Sequence, residues 1–181
     1  MSEPVSAPVL TELILYACPS GPLAQQIEAY FDRSRLQYGA NRAHAYMPHC
    51  TLTGFFHDRP SAIPEYVQAA QQALNQHPNG TVTIDQLRLK PDWHGLELTS
   101  PWLEQVAATF AAQGDSATRT DAIRLKTWLH LSLAYGFDKA QHGPLSQLAE
   151  NMIDPTQPVT WQIRFYERQP EGRWTCHWPG R

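Results

Sequence analysis

Two histidines in this chain are each followed, two residues later, by a hydroxyl side chain and then by leucine: His49-Cys50-Thr51-Leu52 and His130-Leu131-Ser132-Leu133. Residue 130 follows residue 49 by 81 positions in a chain of 181, so the pattern recurs at close to half the length. In an extended strand, residues i and i+2 point to the same face. Each imidazole therefore lies beside a hydroxyl, and two such strands side by side bring two histidines and two hydroxyls into one small volume. Histidine titrates near neutrality, so a pair can supply a base and an acid together. Such a set suits the opening of a phosphate ester. One imidazole takes a proton from water, the other protonates the departing oxygen, and Thr51 and Ser132 donate hydrogen bonds to the oxygens on which charge grows. His130 is assigned the water-activating role and His49 the acid role, although nothing in the residues ranks the two. The scheme needs neither a metal nor a covalent intermediate.

A single histidine–hydroxyl pair is common in unrelated strands and marks a structural histidine more often than a catalytic one. Repetition at half-chain spacing, each copy inside an apolar run and each followed by Gly and Phe, reverses that balance. Ser132 as the nucleophile of a serine hydrolase is disfavoured, because it lacks the G-x-S-x-G elbow and sits mid-strand. On strand parity Lys126 and Trp128 share the face of His130, whereas Tyr135 falls on the other. Tyr135 reaches the shared volume only if the strand ends or bulges after Leu133. Trp93, in Pro91-Asp92-Trp93-His94-Gly95, is either a stacking platform for a base or a contact that packs a hairpin tip. Tyr16, His44 and His94 are further candidates for the rim. His57, His77 and His142 sit beside turn or helix-end residues and are expected to be exposed, and His177 to face solvent or the rim. No histidine spacing matches a metal signature, so no metal or other cofactor is expected.

The elements that must position these residues can be read in order. Residues 11–17 form an apolar run suited to a buried strand. Gly21-Pro22 opens a helix whose face is Leu23, Ile27, Tyr30 and Phe31. The first histidine strand spans about 47–55. Ser61 is placed as the N-cap of a second helix with Ile63, Val67, Ala70 and Leu74 on one face. Residues 81–89 and 96–100 form a hairpin around 91–95, and Ser100-Pro101 starts a third helix carrying Leu103, Val106, Ala107 and Phe110, with Trp102 in the core. A polar loop, 113–121, joins the halves. The second histidine strand is placed at about 123–135, followed by a helix with Leu145, Leu148, Ala149 and Met152. A last hairpin turns at 169–172, with Trp161 as a core residue of its first strand. Histidine strand, helix and hairpin thus occur twice. This order predicts an α+β fold, duplicated and two-lobed, each lobe an antiparallel or mixed sheet with helices on its outer face and a cleft between. The chain is expected to be a single bilobal domain, 1–181, with halves of roughly 1–115 and 116–181 and strands exchanged between them.

A hydrophobic fraction of 42% and a charged fraction of 17% are those of a globular chain. Net charge −3 and a pI near 6.2 speak against a dedicated binder of long nucleic acid, which carries a basic footprint. Cys18, Cys50 and Cys176 are odd in number and lack C-x-x-C spacing, so neither a disulfide framework nor a zinc knuckle is indicated. The N-terminal Met-Ser-Glu-Pro-Val-Ser-Ala-Pro lacks a basic region followed by an apolar run, and no run reaches transmembrane length, so a cytoplasmic protein is expected.

The paired motifs, with Pro48-His49-Cys50-Thr51-Leu52 and His130-Leu131-Ser132-Leu133-Ala134-Tyr135, resemble those of the two-histidine (2H) phosphoesterase superfamily, and in it the plant and yeast cyclic nucleotide phosphodiesterases. The resemblance covers the layout of nearly the whole chain and is specific at the two motifs. It implies a bilobal fold with the site in the central cleft. It also implies hydrolysis of 2′,3′-cyclic nucleotides, or of ADP-ribose 1″,2″-cyclic phosphate, to a 2′-phosphomonoester. Catalytic roles fall on His49 and His130, and substrate contacts on Thr51, Ser132 and Tyr135. Trp128-Leu129 departs from the family, many members of which have Pro just before the second histidine. The partner implied is a small cyclic nucleotide or an RNA end, with no DNA and no membrane, and the protein is expected to be a monomer. Two rivals are kept: an RNA 2′-5′ ligase or 3′-end processing enzyme of the same superfamily, and a non-catalytic module that binds cyclic or terminal phosphates.

Overall fold

The structure, a computed structural model, describes residues 9–179; the N-terminal stretch read above for a leader, residues 1–8, lies outside them. Strand β1 (Thr11–Ser20) leads into helix α1 (Pro22–Tyr38), and one tight helical turn, Arg42–Ala45, precedes the first motif. Short strands β2 (Cys50–Thr51) and β3 (Phe56–Asp58) come next, then α2 (Ile63–Gln76), the hairpin β4 (Thr83–Lys90) and β5 (Trp93–Thr99), and α3 (Pro101–Gln113). The second motif lies on β6 (His130–Tyr135), followed by α4 (His142–Met152) and the hairpin β7 (Thr160–Arg168) and β8 (Trp174–Trp178). The fold is α+β.

The described strands form one antiparallel eight-stranded sheet, not two separate ones, ordered β4-β5-β6-β2-β1-β7-β8 with β3 also on β1. The hairpin after the first motif pairs with the strand of the second, through β5 and β6. The hairpin after the second motif pairs through β7 with β1, beside the first. The two motif strands meet at a single residue pair, Cys50 with Leu131. Leu13, Leu15 and Ala17 on one side of β1 join the main core with Leu23, Tyr66, Leu103 and Phe110 of the helices. Ile14, Tyr16 and Cys18 on its other side form a smaller cluster with Tyr166, as the period of two requires.

Several expectations change in detail. The motif strands are far shorter than 47–55 and 123–135. The amides of Leu52 and Thr53 both turn to the carbonyl of Leu15, at 3.1 and 3.4 Å, which breaks the ladder after Thr51. Thr53 then makes an isolated bridge to Leu125, and pairing with β1 resumes at Phe56. Trp93 and His94 belong to strand β5, because the β4–β5 turn is only Pro91-Asp92 and pairs Lys90 with Trp93. Ser61 does not cap α2; it lies in the tight turn Pro60–Ala62 that precedes Ile63. Ser100 does cap α3, accepting from the Leu103 amide at 3.1 Å. Trp102 and Trp161 are half-buried and pack against the core. All three cysteines are free thiols. No described helix is long and apolar enough to cross a membrane.

Candidate active site

Cys50 opposite Leu131 fixes where everything else points. Carried one residue either way, that antiparallel register sets His49 opposite Ser132 and Thr51 opposite His130. Residues directly opposite share a face, and diagonal neighbours such as His49 and His130 lie about 7–8 Å apart. All four side chains line one cavity of about 290 Å³, on the face of the sheet away from the main core. Lys126, Trp128, Tyr16, Trp93 and Tyr135 line it as well. No described carboxylate does, so the walls, with one lysine and two imidazoles, favour an anion.

Both rings are held in the same way. His49 Nδ1 lies 2.7 Å from the carbonyl oxygen of Met47, and His130 Nδ1 lies 3.1 Å from that of Trp128. A carbonyl can only accept, so each Nδ1 carries a proton and donates it. Each neutral ring therefore keeps its lone pair on Nε2. Each imidazole also stacks on an aromatic ring at 3.9 Å between centroids, His49 on Tyr16 and His130 on Trp128. Burial disfavours the charged form of both. His49 is pushed down to about 4, mainly by burial, with His130 adding repulsion and the Met47 carbonyl opposing. His130 is also lowered by burial, against the pull of the Trp128 carbonyl.

Tyr135 reaches the cavity through a bulge. Along β5 and β6, His94 pairs with Ala134 but Gly95 with Ser132, so Leu133 is the unpaired extra residue. One extra residue flips the side-chain parity of the strand beyond it, and Tyr135 turns to the side of Ser132. Trp93 is half-buried; its Nε1 donates to Ser132 Oγ at 2.9 Å, and its ring meets the edge of His130 at 5.4 Å. Tyr46, Phe55 and Thr53 line the cavity too and were not singled out from the sequence. Thr53 continues the alternation 49, 51, 53, a signal available in the pattern. Tyr46 directly follows the tight turn Arg42–Ala45.

The other histidines serve elsewhere. His94 is fully buried behind the sheet, with Nε2 2.9 Å from Nδ1 of His142. His44 accepts from the Asn41 amide at 3.0 Å and donates to Ser34 Oγ at 3.0 Å. His57, His77 and His142, expected to be exposed, are half-buried and bonded. Their partners are Asp121, Thr109 and His94 respectively. His177 pairs with Glu167 at 2.8 Å. Among the described residues no three His, Cys, Asp or Glu side chains group as a metal site.

Lys126 and Trp128 are brought to the cavity by the segment that joins α3 to β6. The buried carboxylate of Asp58 accepts from Thr118 Oγ1 at 2.6 Å and Tyr66 Oη at 2.8 Å. Asp121 in turn accepts from the His57 amide at 2.6 Å and lies 2.9 Å from His57 Nδ1. Further along the segment, the Lys126 amide donates to the Leu52 carbonyl at 3.0 Å.

No family model matches the chain. It is similar to the ecdysteroid-phosphate phosphatase of Bombyx mori, 28% identical over 165 residues, which are 88% of this chain and 25% of that protein. The ecdysteroid-phosphate phosphatase of Drosophila melanogaster is 28% identical over 200 residues, covering 88% of the chain and 26% of the relative. Human ubiquitin-associated and SH3 domain-containing protein B is 30% identical over 167 residues, 89% of the chain and 25% of the relative. The chain thus spans about a quarter of the length of the curated relatives it matches.

Proposed function

We propose that the protein is a phosphoester hydrolase of the two-histidine type, acting on 2′,3′-cyclic nucleotides or a related cyclic phosphate. The observation that carries this reading is the matched pair of imidazoles, each held through Nδ1 by the carbonyl two residues before it. Both keep Nε2 for chemistry in one cavity beside Thr51 and Ser132. His49, the ring pushed down to about 4, stays neutral and able to accept a proton down to that pH, and is assigned as the base. Its Nε2 takes a proton from water as the water oxygen bonds to phosphorus. His130 acts in its doubly protonated form: it gives its Nε2 proton to the ribose oxygen as the P–O bond breaks and is left as the neutral ring held through Nδ1 by the Trp128 carbonyl. This reverses the roles expected from sequence, where burial was not legible. Thr51 and Ser132 donate to the non-bridging oxygens. Trp93, Tyr135 and Lys126 complete the walls.

Two of the relatives carry phosphatase in their names, which supports phosphoester chemistry and favours a second reading, hydrolysis of a monoester by the same pair. About three quarters of each of those proteins lies outside the match, however, and the volume of 290 Å³ lies at the small end for ligand sites. That suits a nucleotide-sized ligand better than an enclosed steroid. We also read the chain as a single bilobal unit of two exchanged copies. What supports it is that each hairpin lies on the side of the other motif: β5 pairs with β6, and β7 pairs with β1 beside β2.

The test is turnover of a panel in EDTA: the four 2′,3′-cyclic nucleotides, ADP-ribose 1″,2″-cyclic phosphate and p-nitrophenyl phosphate. Release of a 2′-monoester from the cyclic nucleotides, or of a ring-opened monoester from the ADP-ribose cyclic phosphate, is expected, undiminished by the chelator. Hydrolysis of the monoester alone moves the assignment to the second reading, and tight binding without turnover moves it to a phosphate-binding module.

The pH dependence comes from the same groups. Below about pH 4 His49 is protonated and cannot act as base, so kcat/KM falls as pH drops through that value. Above the lowered pKa of His130 the acid is lost, so kcat/KM falls again as pH rises. A bell with its maximum below the ordinary histidine value of about 6.5 is expected, and a maximum above about pH 7 contradicts it.

A further inference from the structure

We infer that Trp93 is a positioning residue that turns the Ser132 hydroxyl into a hydrogen-bond donor aimed at the bound phosphate. A serine hydroxyl can donate one hydrogen bond and accept others, and left alone it rotates among them. The indole N–H only donates. At 2.9 Å from Ser132 Oγ it occupies a lone pair of that oxygen and excludes the rotamer that would put the serine hydrogen there. The serine hydrogen must then point elsewhere, and the cavity that Ser132 lines is the open direction. A donor fixed before substrate arrives needs no reorganisation as charge develops, which is the condition under which such donors act most strongly.

The surroundings are built for this contact. The Trp93 ring lies across Gly95, where a Cβ would overlap both the indole and the Leu131 carbonyl. The ring is braced by Trp128 at 5.0 Å and by the edge of His130 at 5.4 Å, with Lys90 Nζ 5.9 Å from its centroid. The β6 bulge at Leu133 shifts the register so that Gly95, not a residue with a side chain, stands opposite Ser132. The indole thus contacts Ser132 and His130, a use beyond the two that the sequence left open for it, a base platform or a hairpin-tip contact.

This role rests on the proposed phosphoester chemistry, and a double-mutant cycle tests it. Ser132→Ala removes the donor and is expected to lower kcat about 10²-fold. Trp93→Phe keeps an aromatic ring, removes the N–H, and is expected to lower kcat about 10-fold with a smaller change in KM. In the Ser132→Ala background Trp93→Phe should have no further effect on kcat, whereas combined with Thr51→Val the two losses should multiply. If Trp93→Phe costs the same factor with and without Ser132, the inference is overturned, since general loosening of the site acts in either background. Thermal unfolding of each variant separates a folding defect from both outcomes. If the unaltered protein turns over no member of the panel, the proposed function fails, and the cycle is read instead on inorganic phosphate affinity. Weakening by Trp93→Phe that vanishes in Ser132→Ala then still supports the positioning role, and equal weakening in both refutes it.

Discussion

Replacing either imidazole, His49→Ala or His130→Ala, is expected to lower kcat on a 2′,3′-cyclic nucleotide by about 10²–10⁴-fold while the protein stays folded. Both rings line the cavity and are held by one backbone carbonyl and one stacked aromatic ring each. Truncation therefore enlarges a cavity that is already open and leaves the sheet intact. The two variants should also differ from one another. A diester that expels p-nitrophenolate needs little help from an acid, so His130→Ala should recover much of its loss on that substrate. His49→Ala, lacking the base, should stay impaired on both. The combined variant should lose much less than the product of the single losses, because base and acid act in one step. Near-normal turnover of cyclic nucleotides by either single variant would falsify the mechanism, and recovery by His49→Ala in place of His130→Ala would restore the roles expected from sequence.

Much of this site is legible in the sequence, and the reason is arithmetic. The period of two in a strand puts His49 with Thr51, and His130 with Ser132, whatever the fold. What joins the pairs is one residue contact, Cys50 with Leu131; half-chain spacing suggests such a contact but does not state its register. The element order is readable as well, from Gly21-Pro22, Ser100-Pro101 and the alternation at Val159-Trp161-Ile163. Strand lengths are not, because the ladder near the first motif ends where two amides compete for the Leu15 carbonyl. Such competition depends on β1, some 37 residues earlier by the distance from Leu15 to Leu52. Tyr135 shows the same limit. Parity assigns it to the wrong face, and only the partner strand reveals that Leu133 is skipped. His57 looks like a turn residue because its partner Asp121 comes 64 positions later. Long-range polar contacts leave no periodic trace.

The second large effect lies outside the cavity. Asp58→Ala is expected to destabilise the protein by about 3 kcal/mol or more, as hydrogen bonds to a charged acceptor are worth roughly 1.5–3 kcal/mol each. Asp58 is fully buried, and its carboxylate accepts from Thr118, from Tyr66 and from the Arg59 amide at 2.7 Å. Burial alone raises its pKa. The bonds from Thr118, Ser116, Tyr66 and Arg59 outweigh that and hold the group below the usual carboxylate value. Its contribution is therefore complete above the unfolded-state pKa of about 4 and is lost as pH falls through the lower folded value. For a chain of this size the loss should appear as a fall in Tm of about 6–12 °C near neutral pH, and the gap between variant and parent should narrow in acid. Activity should fall with it, because Asp58 ties down Thr118 at the start of the segment that carries Lys126 and Trp128 to the cavity. Asp58→Asn keeps one acceptor oxygen and should lose less on both measures. A Tm unchanged in Asp58→Ala would show that this carboxylate does not anchor the segment, and that the contacts of Asp121 with His57 hold it unaided.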